Sequence, residues 1–296
     1  MNKSILKYLI VFFGTALAFP ASAEEVNESI DAASNGHVEI INISGSVEVY
    51  GWSRTSVEVT GDLGDKVEEL ILERNGDKVL VKVKVPRNSG HNIASDLTVR
   101  VPSASSIDVS AVSADIDVED VTGEQTLHTV SGDIDTEVSD SDLSAETVSG
   151  DVEVTGEGKD SETSMHTVSG DVTLFRVAGA VTGETVSGDV IVDEGSFDRA
   201  GLQTVNGDIL FQAGLRKGGK LNVETVNGDV DVLFSSDVSA KFDVETFNGD
   251  IDNCFGPKAE RTSKYAPGLE LSFTTGDGDG RVVMSTLNGD IDICDE

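Results

Sequence analysis

The triplet Ser-Gly-Asp stands at residues 149–151 and again at 187–189, each time inside the string ETVSGDV. A serine beside a glycine and an acid could supply a nucleophile, a phosphate cradle or an oxygen-rich cation site. The nucleophile reading fails within the sequence itself. The pattern Ser/Asn-Gly-Asp-Ile/Val occurs eight times, with glycine at Gly132, Gly150, Gly170, Gly188, Gly207, Gly228, Gly249 and Gly289. Serine occupies the first place in the early copies and Asn206, Asn227, Asn248 and Asn288 occupy it later. Asparagine cannot attack as serine does, whereas both residues suit a corner in which glycine allows close backbone approach.

The acids of the motif form the cation candidate: Asp133, Asp151, Asp171, Asp189, Asp208, Asp229, Asp250 and Asp290, with Asp115 in a degenerate copy, VSADI. If copies stack at strand spacing, neighbouring carboxylates repel by about 0.9 kcal/mol per pair even in bulk water. Backbone N–H groups could relieve that, or a row of bound calcium ions, although the spacing lacks the nine-residue period of calcium β-rolls. His128 and His166 share one column three places before the serine, with Glu146 between them. Two rungs apart, near 10 Å, they cannot share a zinc ion, and read as an exposed His-Glu ladder. The string TTGDGDGRV carries Asp277 and Asp279 but no distal Glu of a calcium loop, so it reads as a glycine-rich turn. No Walker-type loop, zinc-spaced Cys/His set or Ser/His/Asp grouping is present, and catalysis is not expected.

Cys254 and Cys294 each stand five residues after a motif glycine. If those two copies are stacked neighbours, the shared register brings the cysteines together, and a bridge would contribute on the order of 4 kcal/mol. A free reactive pair is the other reading.

The elements that must position these residues follow from the repeat. From Ala114, the glycine place of VSADI, successive spacings are 18, 18, 20, 18, 19, 21, 21 and 40, so the last holds an insertion or an eroded copy. The residue after Asp is always aliphatic (Ile134, Val152, Val172, Val190 and onward). The residue two before Ser/Asn is always threonine, from Thr129 to Thr286, and between them runs Val130, Val148, Val168, Val186, Val205, Val226, Phe247 and Leu287. Such columns predict an all-β, parallel β-solenoid, or β-helix, of about 18–21 residues per coil, roughly nine to eleven coils in all. The competing architecture is an antiparallel meander, because Asn-Gly between alternating residues is also a hairpin signal.

The chain begins with a basic start, an apolar run and Ala21 and Ala23, so residues 1–23 read as a signal peptide. Its removal takes away Lys3 and Lys7 and no acid, moving the formal charge from −33 to −35. Such acidity argues against nucleic acid and anionic membrane surfaces as partners. No later run has spanning length, so no membrane insertion is expected after cleavage. Residues 24–100 read as a β-rich N-terminal cap continuous with the solenoid. Within it an Asn75-Gly76 hairpin puts Val79, Val81, Val83 and Val85 on one face. Residues 101–253 are the repeats, and 254–296 a C-terminal closing coil with an insertion.

Taken together, GSVEVYGWSR around Trp52, DLTVRVP at 96–102, the run of TVSGDV coils and the closing GDGDGRVVMSTLNGDIDI resemble a family of bacterial exported proteins described as putative adhesins, a β-solenoid domain of unknown function. The resemblance spans nearly the whole chain after residue 23. It implies association with the cell envelope or its stress responses and brings no catalytic residues. The expectation is a non-catalytic exported protein, periplasmic or extracellular, without a cofactor unless calcium binds. It would act as an adhesin-like structural or binding surface for an envelope protein or glycan. The alternatives are a polysaccharide-active β-helix enzyme and a calcium-stabilised rod.

Overall fold

The computed structural model describes residues 24–87, 92–263 and 267–295, and residues 1–23, read above as a signal peptide, lie outside them. Among the described residues every regular element is a strand, and no helix is long and apolar enough to cross a membrane. The local cause is visible in Ile134–Val138, where Ile134, Thr136 and Val138 are buried and Asp135 and Glu137 face outward. That is the period-two alternation of a half-buried strand built from β-branched residues.

Neighbouring copies pair in parallel, position on position. Ile134 registers with Val152, Val152 with Val172, Val172 with Val190, Val190 with Ile209 and Ile209 with Val230. The antiparallel alternative for the Asn-Gly copies is thereby overturned. The result is an all-β, solenoid-like stack whose core is a column of these aliphatic residues, all of them buried. Each buried Val or Ile contributes about 1.5–3 kcal/mol, so every rung adds stabilisation in the same way. Toward one end the core turns aromatic. Phe197, Phe211, Phe234 and Phe242 follow one another with ring centroids 5.9–6.0 Å apart, and Phe273 stacks on Phe242 at 4.3 Å.

The order of rungs departs from the order of the chain at both ends. Strand Gly280–Asn288 does not close the stack. It lies between Ile209–Asn227 and Ala240–Asn248, parallel to both, with Thr286 opposite Thr225 on one side and Thr246 on the other. The expected C-terminal closing coil is therefore an interior rung, and residues 240–253 take the outer place. The long final spacing holds an insertion whose strand Leu269–Thr274 pairs antiparallel with Ala240–Asn248 and covers that end.

The other end mirrors this. Strand Ser44–Trp52 lies between Ser95–Pro102 and Ser113–Glu119, parallel to both, with Gly45 opposite Ser95 and Ala114. Part of the region expected to be a cap continuous with the solenoid is thus rung. Covering it, Ser56–Leu63 pairs antiparallel with Ser95–Pro102, and Glu24–Asp31 pairs antiparallel with Ser56–Leu63. The Asn75-Gly76 hairpin is present as Glu69–Asn75 against Lys78–Lys84, and its second strand also joins the stack beside His37–Ile41. By glycine place the spatial order is Ser95, Gly45, Ala114, Gly132, Gly150, Gly170, Gly188, Gly207, Gly228, Gly289, Gly249.

Candidate binding face

Each corner is built from three residues with separate tasks. The glycine is needed for proximity. A Cβ on Gly188 would stand 2.0 Å from the carbonyl oxygen of Gly170, and one on Gly289 1.9 Å from that of Gly228. The same carbonyl receives the threonine hydroxyl of the next rung. Thr147 donates to Gly132, Thr167 to Gly150, Thr185 to Gly170, Thr204 to Gly188 and Thr286 to Gly228, at 2.9–3.2 Å. These threonines are buried, so the column satisfies a carbonyl that would otherwise be partly orphaned.

The aspartates complete the corner. The backbone N–H of Asp151 donates to Oδ1 of Asp133 at 2.9 Å, and those of Asp171, Asp189, Asp208 and Asp229 donate to the preceding Asp at 2.8 Å. The chain of bonds continues from Asp290 to Asp229 and from Asp250 to Asp290, both at 2.8 Å. A hydrogen bond to a charged acceptor contributes about 1.5–3 kcal/mol, which exceeds the roughly 0.9 kcal/mol of repulsion per stacked pair in water. Among the described residues no group of three or more His, Cys, Asp or Glu is arranged to hold a metal ion.

The exchange of Ser for Asn also has a geometric reason. Asn227 donates its side-chain amide to Asn206, Asn288 to Asn227 and Asn248 to Asn288, at 2.8–2.9 Å. An asparagine ladder of this kind reinforces itself from rung to rung. The serines of the earlier rungs instead face one another across parallel bridges, Ser131 to Ser149 and onward.

Between the buried threonine and this polar column stands the aliphatic residue of the motif, and it points to solvent. Val112, Val130, Val148, Val168, Val186, Val205, Val226, Leu287 and Phe247 are 38–48 % exposed, and they are the only large hydrophobic side chains exposed among the described residues. In rung order they form one continuous stripe across the strands. A shallow groove runs beside it, lined by His166, Glu184, Val186, Val205, Glu224 and Val226.

The column on the far side of the threonine holds the histidines. Strand pairing sets His128 beside Glu146 and Glu146 beside His166, with His128 Nδ1 3.4 Å from a Glu146 carboxylate oxygen and His166 Nδ1 3.1 Å from one of Glu184. A further acid ladder lies beyond the Asp corner, where Glu48, Asp117, Asp135 and Glu153 stand on successive rungs, as do Asp231, Asp292 and Asp252. Lost hydration, and then the carboxylates of Asp135, Glu119, Glu48 and Glu137, raise Asp117 above the ordinary carboxylate range. Lost hydration raises Asp135, and lost hydration followed by neighbouring Asp carboxylates raises Asp231 and Asp292. These ladders are a cost of parallel stacking.

Cys254 and Cys294 are joined, with Cα atoms 4.9 Å apart, on neighbouring rungs in which Ile251 registers with Ile291. Sequence reasoning missed two features. The copy at 44–47 reads SGSV, with Ser46 in the aspartate place, and Asn42 stands where threonine is expected. The Asn42 side chain nonetheless makes the threonine's contact, donating to the carbonyl of Ser95 at 2.9 Å. The exposure of the Val column was the second. Its signal was parity carried one step past the strand end: where the threonine is buried, the next residue of the extended chain faces outward.

A family model described as Toastrack DUF4097 matches residues 25–183 and 177–294. The chain belongs to this family. It is a family of unknown function. No curated protein matches the chain. Among solved structures it is similar to a putative adhesin from Bacteroides fragilis, 11 % identical with a TM-score of 0.45, the match covering 92 % of this chain and 98 % of that one. It is also similar to a putative adhesin from Parabacteroides distasonis, 10 % identical with a TM-score of 0.42, covering 93 % and 98 %. A putative lipid binding protein from the same organism is 13 % identical with a TM-score of 0.41, covering 91 % and 96 %.

Proposed function

We propose that this Toastrack protein is an exported, non-catalytic component of the cell envelope whose outer face binds an extended partner, an envelope protein or a glycan, in the manner of an adhesin. The observation that carries the reading is the repetition of solvent-facing columns at one-rung spacing, from Val112 to Phe247 and from Asp115 to Asp250. A surface that repeats every 4.8 Å or so suits a ligand that is itself long and repetitive.

In this reading residues 1–23 are removed on export to the periplasm or beyond. The remainder is one elongated parallel β-solenoid of 18–21 residues per coil, closed by antiparallel strands at each end. The acid columns disfavour nucleic acid and anionic lipid. The corner aspartates serve the backbone, so no cofactor is assigned to them and calcium is not required. Cell fractionation followed by pull-down of envelope components tests the proposal. Recovery of the protein in the cytoplasm, or reproducible cleavage of acidic polysaccharides lost on changing one acidic site, would overturn it in favour of the β-helix enzyme.

A further inference from the structure

Resting on that reading of the outer face as a binding surface, we infer that the exposed stripe from Val112 to Phe247 is a track for one kind of occupant: a cationic amphipathic helix of a partner polypeptide, laid along the stack axis. The stripe gathers nine half-exposed aliphatic or aromatic side chains into a single file. At about 4.8 Å per rung it runs for roughly 38 Å. Apolar surface of that length on an exported protein needs a cover.

Its borders select the occupant's charge. On one side, in rung order, stand Ser110, His128, Glu146, His166, Glu184, Gln203, Glu224, Ser285 and Glu245, and on the other, past the Ser/Asn column, the row of corner aspartates. Neither border contains a lysine or an arginine. Each aspartate uses Oδ1 on a backbone N–H, leaving its second oxygen for a donor from outside. A second copy of this chain, with formal charge −33, would bring acid against acid, and an anionic lipid surface would do the same.

The spacing selects the occupant's conformation. A helix presents one apolar group per turn, about every 5.4 Å, whereas a strand presents one about every 6.8 Å on a given face. The helix is the closer match to the rungs. About 25 residues of helix span the stripe, with lysine or arginine flanking the apolar face on both sides.

The test uses the full chain and a labelled 25-residue peptide with leucine at helical spacing and lysine on both flanks, followed by fluorescence anisotropy. The expected result is saturable binding that weakens at least tenfold in the triple variant Val148→Ser, Val186→Ser, Val226→Ser. Because these side chains are half-exposed, that variant should keep its melting temperature, which confirms that it folds. Glu184→Gln with Glu224→Gln should weaken binding severalfold and flatten its salt dependence. Equal binding by a peptide of the same composition with leucine and lysine alternating would overturn the inference, since only charge attraction would then be at work. So would unchanged binding by the triple variant, or a dimer that this variant dissolves. Uptake of phosphatidylglycerol or phosphatidylcholine vesicles through the same valines would count against it equally. If envelope partners are still retained by the triple variant, the track fails while the broader binding role stands.

Discussion

The hydroxyl of Thr246 donates to the carbonyl oxygen of Gly289 at 2.9 Å, although the two residues lie 43 positions apart in the chain. Thr185 makes the same bond to Gly170 at 3.0 Å over a separation of 15. The contact is a property of adjacent rungs and is indifferent to how the chain arrives at them.

It follows that Thr246→Val and Thr185→Val should cost about the same, roughly 1–2 kcal/mol each, by removing a hydrogen bond to a buried carbonyl. Urea denaturation measures both. A loss confined to Thr185 would mean that residues 240–253 do not sit beside 280–295.

Glycine substitutions should separate proximity from flexibility. Gly289→Ala places a methyl 1.9 Å from the backbone carbonyl oxygen of Gly228 and should destabilise by more than about 4 kcal/mol or prevent folding. Gly201→Ala meets nothing within 4 Å and should change stability by less than about 0.5 kcal/mol. Thermal melts of the pair check the contrast. Equal effects would remove the corner's steric rationale.

The raised carboxylates give stability a defined pH dependence. Asp117, Asp135, Asp231 and Asp292 hold a proton more tightly when folded than the ordinary value near 3.9 for the unfolded chain. Their ionisation therefore opposes folding. Stability should rise as pH falls from 7 through their raised values, with the gain complete below the unfolded value. Glu157, held low by Lys159 and Ser139, and Asp160, held low by Arg216, work in the opposite direction, but only below the ordinary range. The melting temperature should increase as pH is lowered from 7 toward the ordinary carboxylate value, and Asp135→Asn should raise the value at pH 7 and flatten the slope. A steady fall over that range in the wild-type chain contradicts the assignment.

Corner aspartates that serve the backbone predict a specific indifference to calcium. At matched ionic strength, calcium and magnesium should raise the melting temperature of so acidic a chain by similar amounts through screening. A rise with calcium alone, abolished by a chelator, would reinstate the metal reading for Asp133 to Asp290.

Removing the bridge should be costly near one end only. Cys254→Ser with Cys294→Ser lengthens the free loop of the unfolded chain and should cost up to about 4 kcal/mol. Hydrogen exchange should show the loosening in residues 240–295 and leave the rungs from Gly132 to Gly207 protected.

The corner was legible in the sequence because each of its residues answers to a neighbour of the same kind. Thr, Gly and Asp recur wherever one rung meets the next, so the columns reveal stacking without any structure. Rung order was not legible, because the contacts of Gly289 with Gly228 and of Gly249 with Gly289 use the same residues that a sequential stack would use. The rung at 44–47 escaped because Asn42 makes the threonine's contact with a different side chain, and Ser46, in the aspartate place, donates its hydroxyl to Asp96, so both break the pattern of letters. The outward stripe was hidden for a different reason. A column of valines reads as core until the parity set by Thr147 and its counterparts is taken into account.

The interleaved end makes assembly depend on order of arrival. Residues 209–234 can join the growing stack as soon as they are made, but 240–253, paired until then only with Leu269–Thr274, have no place on the stack until 280–295 are in position between them. A chain made from its beginning must therefore leave about forty residues, 240–279, waiting for their place on the stack until the last strand is made. Proteases that meet the chain before that moment find strand Ala240–Asn248 held along one edge by Leu269–Thr274, and those that meet it afterward find both its edges paired.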